Sequence, residues 1–91
     1  MRLRWSPRAS ADLVRLSEFL RPKSRAAAAR VVRTLMAGPH RLVDYPRSGE
    51  QVERAGEVEL RRLLIDAYEI QYEVRRDEIV VARIFHTREE R

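Results

Sequence analysis

The clearest patterning lies in the last third of the chain. Tyr68, Ile70, Tyr72 and Val74 alternate with Glu69, Gln71, Glu73 and Arg75. A period of two predicts a strand with one core face and one polar face. Ile79 to Phe85 is apolar on both faces apart from Arg83, which predicts an interior strand. Val58 to Ile65 alternates imperfectly because Arg61 and Arg62 are adjacent, so either one arginine faces each side or a bulge falls there. Asp66-Ala67 and Arg76-Asp77 separate the three runs as short polar turns.

Upstream the period changes. Leu3 and Trp5 alternate with Arg2 and Arg4, a short first strand. Ser6-Pro7 then supplies a hydroxyl N-cap and a proline at the first helical position. Ala9, Leu13, Leu16 and Leu20 recur at helical spacing, and Pro22 stops this helix at Leu20 or Arg21. Asp12 follows Arg8 by four residues and reads as an exposed ion pair. Ser24 caps a second, alanine-rich helix with Ala28, Val32, Leu35 and Met36 on one face, ended by Gly38-Pro39. So short a connection makes the helices antiparallel. His40 to Glu57 carries turn chemistry and no periodicity, with Leu42, Val43 and Tyr45 as expected anchors. The fold class is α+β: an N-terminal strand, an antiparallel two-helix hairpin, then a three-stranded antiparallel meander. One domain spans residues 1–91.

Composition narrows the function only a little. With 44% hydrophobic and 36% charged residues the chain should fold behind a heavily ionised surface. There is no cysteine, hence no disulfide and no thiolate metal site. No apolar run is long enough to span a bilayer or serve as a signal core, so the expectation is a soluble intracellular protein without a membrane partner. A net charge of +5 favours an acidic partner. Nearly all the basic residues are arginine, which genome composition explains as well as function does.

Spacing alone reveals no phosphate loop, no metal-ligand pattern around the two histidines and no nucleophile with a base, so no cofactor and no metal are assigned. The candidates for chemistry are Arg61, Arg62, Arg83, His86 and Arg88. Arginines beside a histidine can bind a phosphate and move a proton. The competing reading pairs the arginines with Glu59, Glu69, Glu73 and Glu78 across strands. Arg83, inside an apolar strand, needs a partner on either reading.

Taken in order, WSPRASADL, LVDYPRSG, VELRRLLIDAYEIQYEV and IVVARIFHTRE resemble the RelE/ParE superfamily of bacterial type II toxin–antitoxin toxins, nearer the ParE branch. The resemblance implies a cytoplasmic toxin neutralised by a cognate antitoxin in a hetero-oligomer. It implies an antitoxin segment laid in a groove beside the helical hairpin and the sheet, with Trp5, Leu13, Leu16 and Phe19 as its apolar contacts. RelE-like members cut mRNA on the ribosome, whereas ParE-like members inhibit DNA gyrase. In the nucleases an arginine follows the middle-strand tyrosine; here Glu69 follows Tyr68, and a carboxylate there would repel the scissile phosphate.

The resemblance therefore implies a gyrase inhibitor that touches its target through Arg61, Arg83, His86 and Arg88. The alternative is a ribosome-dependent endonuclease using Arg62, Arg83, His86 and Arg88 as its catalytic set. A third possibility is a degenerate toxin that retains only antitoxin binding.

Overall fold

The computed structural model describes residues 1–90. It contains strand β1 (Arg2–Trp5), helices α1 (Pro7–Leu20) and α2 (Arg25–Ala37), a 3₁₀ segment (Gly38–Val43), and strands β2 (Glu50–Ala55), β3 (Val58–Ile65), β4 (Tyr68–Val74) and β5 (Glu78–His86). The five strands form one sheet in the order β1-β5-β4-β3-β2. β1 runs parallel to β5, and the four C-terminal strands form an antiparallel meander. The two helices lie on one face. The α+β architecture is the one expected from the sequence, with one strand more than the three-stranded meander predicted. That strand, β2, occupies the stretch expected to be loop.

Both helix starts follow from their caps. Ser6 Oγ accepts the Ala9 N–H at 3.0 Å, and Ser24 Oγ accepts that of Ala27 at 3.1 Å. Each satisfies one of the amides left without a partner at a helix start. The Ser6 hydroxyl also donates to the Ala82 carbonyl at 2.8 Å, so the cap fixes α1 to β5 as well as starting it.

Register decides which side chains share a face. Val74 with Ile79, Tyr72 with Val81, and Ile70 with Ile84 form one face, where they pack with Ala9, Leu16, Leu35 and Leu42 as the core. Tyr72 lies opposite Val81 while Gln71 lies opposite Arg83, so Ala82 is an extra residue, a bulge that lets Val81 and Ile84 both face the core. The adjacent arginines of β3 need no bulge: Arg61 pairs with Tyr72 and Arg62 with Gln71, one on each face. A second irregularity lies on β2, between Gln51 and Glu53.

The segment entering β2 is held by Tyr72, whose phenol is fully buried. Its hydroxyl accepts the Gly49 N–H and donates to the Pro46 carbonyl, each at 2.9 Å. Leu42 is buried as expected, but Tyr45 is 69% exposed and anchors nothing through its ring. Gly49 is required by space: a Cβ there would collide with the Arg62 carbonyl oxygen and stand 2.7 Å from the Tyr72 hydroxyl. Among the described residues no helix is long and apolar enough to cross a membrane.

Candidate functional site

β1 ends at Trp5, so β5 beyond Val81 has no strand neighbour on that side. An unpaired strand edge must satisfy its backbone groups elsewhere. Here side chains do it. Asp12 Oδ2 accepts the Ile84 N–H at 2.8 Å, Arg15 donates to the Ile84 carbonyl at 3.2 Å, and Glu89 accepts the His86 N–H at 3.0 Å. Asp12 also accepts from Arg83 Nε at 2.8 Å and from Arg15 at 3.2 Å, while Arg15 reaches Glu89 at 2.7 Å. The expected surface pair between Arg8 and Asp12 is therefore corrected. Asp12 is 4% exposed, and its partners come from β5 and from the next turn of its own helix.

Although burial favours the neutral acid, hydrogen bonds from Arg83, Ile84 and Arg15 hold the Asp12 carboxyl below its usual range. For Glu89, burial likewise opposes ionisation, and hydrogen bonds from Arg15 and the His86 N–H outweigh it.

Past this edge the space between α1 and the ends of β4 and β5 opens into a cleft of about 590 Å³, mainly apolar. Leu16, Phe19 and Leu20 line one side, Tyr68 and His86 the other, with Arg15, Arg88 and Glu89 at its rim. Tyr68 and His86 meet edge to face with centroids 5.2 Å apart. His86 Nδ1 accepts the Arg88 N–H at 3.1 Å, which orients the ring. Burial, then the nearby Glu89 and Asp66, push the Tyr68 phenol upward, so it stays neutral. Of the four residues expected to contact an antitoxin, only Phe19 is largely exposed, at 65%, with Lys23 Nζ 3.8 Å from its ring centroid. Leu16 is buried and forms part of the cleft wall, while Trp5 and Leu13 are half-buried against the core.

The basic candidates divide between the two sheet faces. Arg62 and Arg83 flank Gln71 on the face opposite the helices, whereas His86 pairs with Tyr68 on the helix side. Arg62 sits between Glu50 at 3.0 Å and Glu69 at 3.6 Å. Arg83 is turned to Asp12 and stacks over Phe85, 4.6 Å from the ring centroid. Arg61 donates to Glu59 and to the Gly49 carbonyl, and only 13% of its side chain is exposed. Glu59 draws in Arg47 as well, at 2.7 Å, and the hydrogen bonds from Arg47 and Arg61 lower its carboxyl to about 2. The cross-strand reading thus holds for Arg62, whereas Arg61 takes Glu59 from its own strand, two residues before it. The structure gathers His86 and Arg88 at one cleft and leaves Arg61 and Arg62 apart from them. Among the described residues no three His, Asp or Glu side chains come together as a metal site.

A two-helix layer on one face of a β1-β5-β4-β3-β2 sheet thus frames an apolar cleft at its open end. The family model for the ParE toxin of the type II toxin–antitoxin system parDE matches residues 3–91, and the chain belongs to that family. Its fold is also that of a solved chain from the chromosomal ParDE toxin–antitoxin system of P. aeruginosa. The two share 19% identity and a TM-score of 0.77, over 94% of this chain and 95% of that one. No curated protein matches.

Proposed function

We propose that this ParE-family toxin inhibits DNA gyrase by docking, without cutting nucleic acid, and that a cognate antitoxin neutralises it by occupying the cleft between α1 and the ends of β4 and β5. The observation that carries the non-catalytic reading is the commitment of the sheet arginines. Arg61, Arg62 and Arg83 are each held by carboxylates of the same chain. A phosphate would have to displace those carboxylates before any of the three could stabilise developing charge. The position after Tyr68 is the carboxylate Glu69, itself hydrogen-bonded to Gln71 at 2.9 Å.

For the antitoxin, the cleft offers an apolar channel whose rim carries Arg15 and Arg88. An amphipathic helix or extended segment with large apolar side chains and acidic flanks fits that chemistry. Trp5 and Leu13 pack against the core, while Phe19 and Leu16 would meet the partner. Ribosome-dependent cleavage remains the second reading on one observation, that His86 and Arg88 face the same cleft.

Expression in cells tests both parts. Induction alone should stop growth and relax a reporter plasmid, and co-expression of the antitoxin should restore both. Growth arrest with unchanged plasmid topology and codon-specific mRNA ends, lost in His86→Ala, would establish the second reading instead.

A further inference from the structure

We infer that the outward face of the helical hairpin, centred on Arg25, Arg30 and Arg33 of α2, is a contact surface for the phosphate backbone of duplex DNA. The charge of the molecule is segregated. Residues 7–37 carry seven basic side chains against two acidic, and the remaining sixty residues carry twelve of each. The whole net charge of +5 therefore resides on the hairpin. One of its two acids, Asp12, is buried and already matched by Arg83 and Arg15.

The two halves also use their arginines differently. Outside the hairpin, Arg4, Arg47, Arg54, Arg61, Arg62, Arg75 and Arg83 each have a carboxylate within 4 Å, while Arg2, Arg41, Arg76 and Arg88 are exposed without one among the described residues. On the hairpin only Arg15 is so held among the described residues; Arg8, Arg21, Arg25, Arg30 and Arg33 have no such partner there and are exposed. Unpaired guanidinium groups on the hairpin produce a positive potential that the rest of the molecule does not cancel.

The shape of the face selects the partner. At 1.5 Å per residue Arg25 and Arg33 stand about 12 Å apart along a straight helix, with Arg30 between them. The neighbouring exposed positions are Ala26, Ala29 and Ala37, which project little beyond the backbone, and Met36, which is 53% exposed. A helical surface bearing long guanidinium arms suits a rod of phosphates, which requires charge and close approach rather than a deep apolar pocket. An acidic polypeptide gains its affinity from apolar anchors seated in pockets. The mainly apolar cleft of this chain lies between α1 and the sheet, away from α2. The choice of DNA over an RNA duplex rests on the proposed gyrase target, which holds DNA; the binding is measured without gyrase, so the two ideas fail separately.

Fluorescence anisotropy of the purified full chain against a short labelled DNA duplex, over a salt series, tests the inference. The variant Arg25→Gln/Arg30→Gln/Arg33→Gln should bind about tenfold or more weakly and lose about 2.7 from the slope of log K against log salt. The charge-matched variant Arg2→Gln/Arg54→Gln/Arg76→Gln should keep the slope of the unmodified chain. Circular dichroism and melting verify both folds. If the triple variant unfolds, Arg25→Gln/Arg33→Gln carries the same test with a loss of about 1.8 in slope. Equal losses in the two charge-matched variants, absent DNA binding, or tighter binding to an RNA duplex or to polyglutamate would overturn it.

Discussion

Replacing Asp12 by alanine should cost the fold more than removing the arginine it holds, because the two changes strand different groups. Asp12 is 4% exposed and accepts from Arg83, Arg15 and the Ile84 N–H. Without the carboxylate, the Ile84 amide on the β5 edge is left buried and unpaired, which costs about 1–3 kcal/mol. Arg83 and Arg15 retain 27% and 44% side-chain exposure, and Arg15 keeps Glu89, so both can turn to water. Their loss adds only about 1 kcal/mol. Asp12→Ala should therefore destabilise by about 2–4 kcal/mol.

Arg83→Met keeps the aliphatic stem and leaves Asp12 with two donors, so it should cost about 0.5–1.5 kcal/mol. Urea unfolding followed by far-ultraviolet circular dichroism measures both, and the double variant gives the coupling. The reasoning is refuted if Asp12→Ala costs less than about 1 kcal/mol or if Arg83→Met is the more damaging change. The carboxyl is depressed in the folded state, so its contribution is present above the unfolded carboxylate range and is lost as pH falls through the folded value. The gap between Asp12→Ala and the unmodified chain should accordingly narrow in acid.

Three further outcomes follow from the same contacts. Tyr72→Phe leaves the Gly49 N–H and the Pro46 carbonyl unpaired and should lower stability by about 1–3 kcal/mol, read from the unfolding midpoint; an unshifted midpoint would contradict the anchoring role. The Glu59 side-chain carboxyl should titrate near about 2 by NMR, with its stabilisation present above 4.5 and lost as pH falls through about 2; a midpoint at 4.5 would mean that Arg47 and Arg61 do not hold it. Phe19→Asp should leave the melting temperature almost unchanged yet weaken antitoxin binding about a hundredfold by calorimetry, since an exposed aromatic at a cleft is a typical binding hot spot.

Where a signal came from packing against one known face, the sequence was readable. The alternation from Tyr68 to Val74 and the two-sided apolarity from Ile79 to Phe85 both survive in the structure, the latter because β1 covers the first half of β5. β2 was not readable. EQVERA is exposed at every position, so its pairing with β3 rests on backbone hydrogen bonds and polar side-chain pairs such as Glu50–Arg62, which leave no hydrophobic period. The partner of Asp12 was missed for a different reason: it lies 71 residues away, beyond any helical spacing. A signal did exist. Asp12 stands three residues after Ala9 and four before Leu16, on the buried stripe itself, and Arg83 is the one charge in an apolar strand. An acid on a buried stripe and a lone arginine in an apolar strand, one of each sign, ask to be paired. The antitoxin set was half legible, because helical spacing shows that Leu13 and Leu16 are apolar without showing whether the sheet or solvent receives them.

Action by docking is tested most directly by a supercoiling assay with purified gyrase and this chain alone. Supercoiling should fall with increasing toxin in the absence of ribosomes, and purified antitoxin should restore it. Undiminished supercoiling at high toxin excess, from protein shown to be folded and able to bind its antitoxin, would contradict the account.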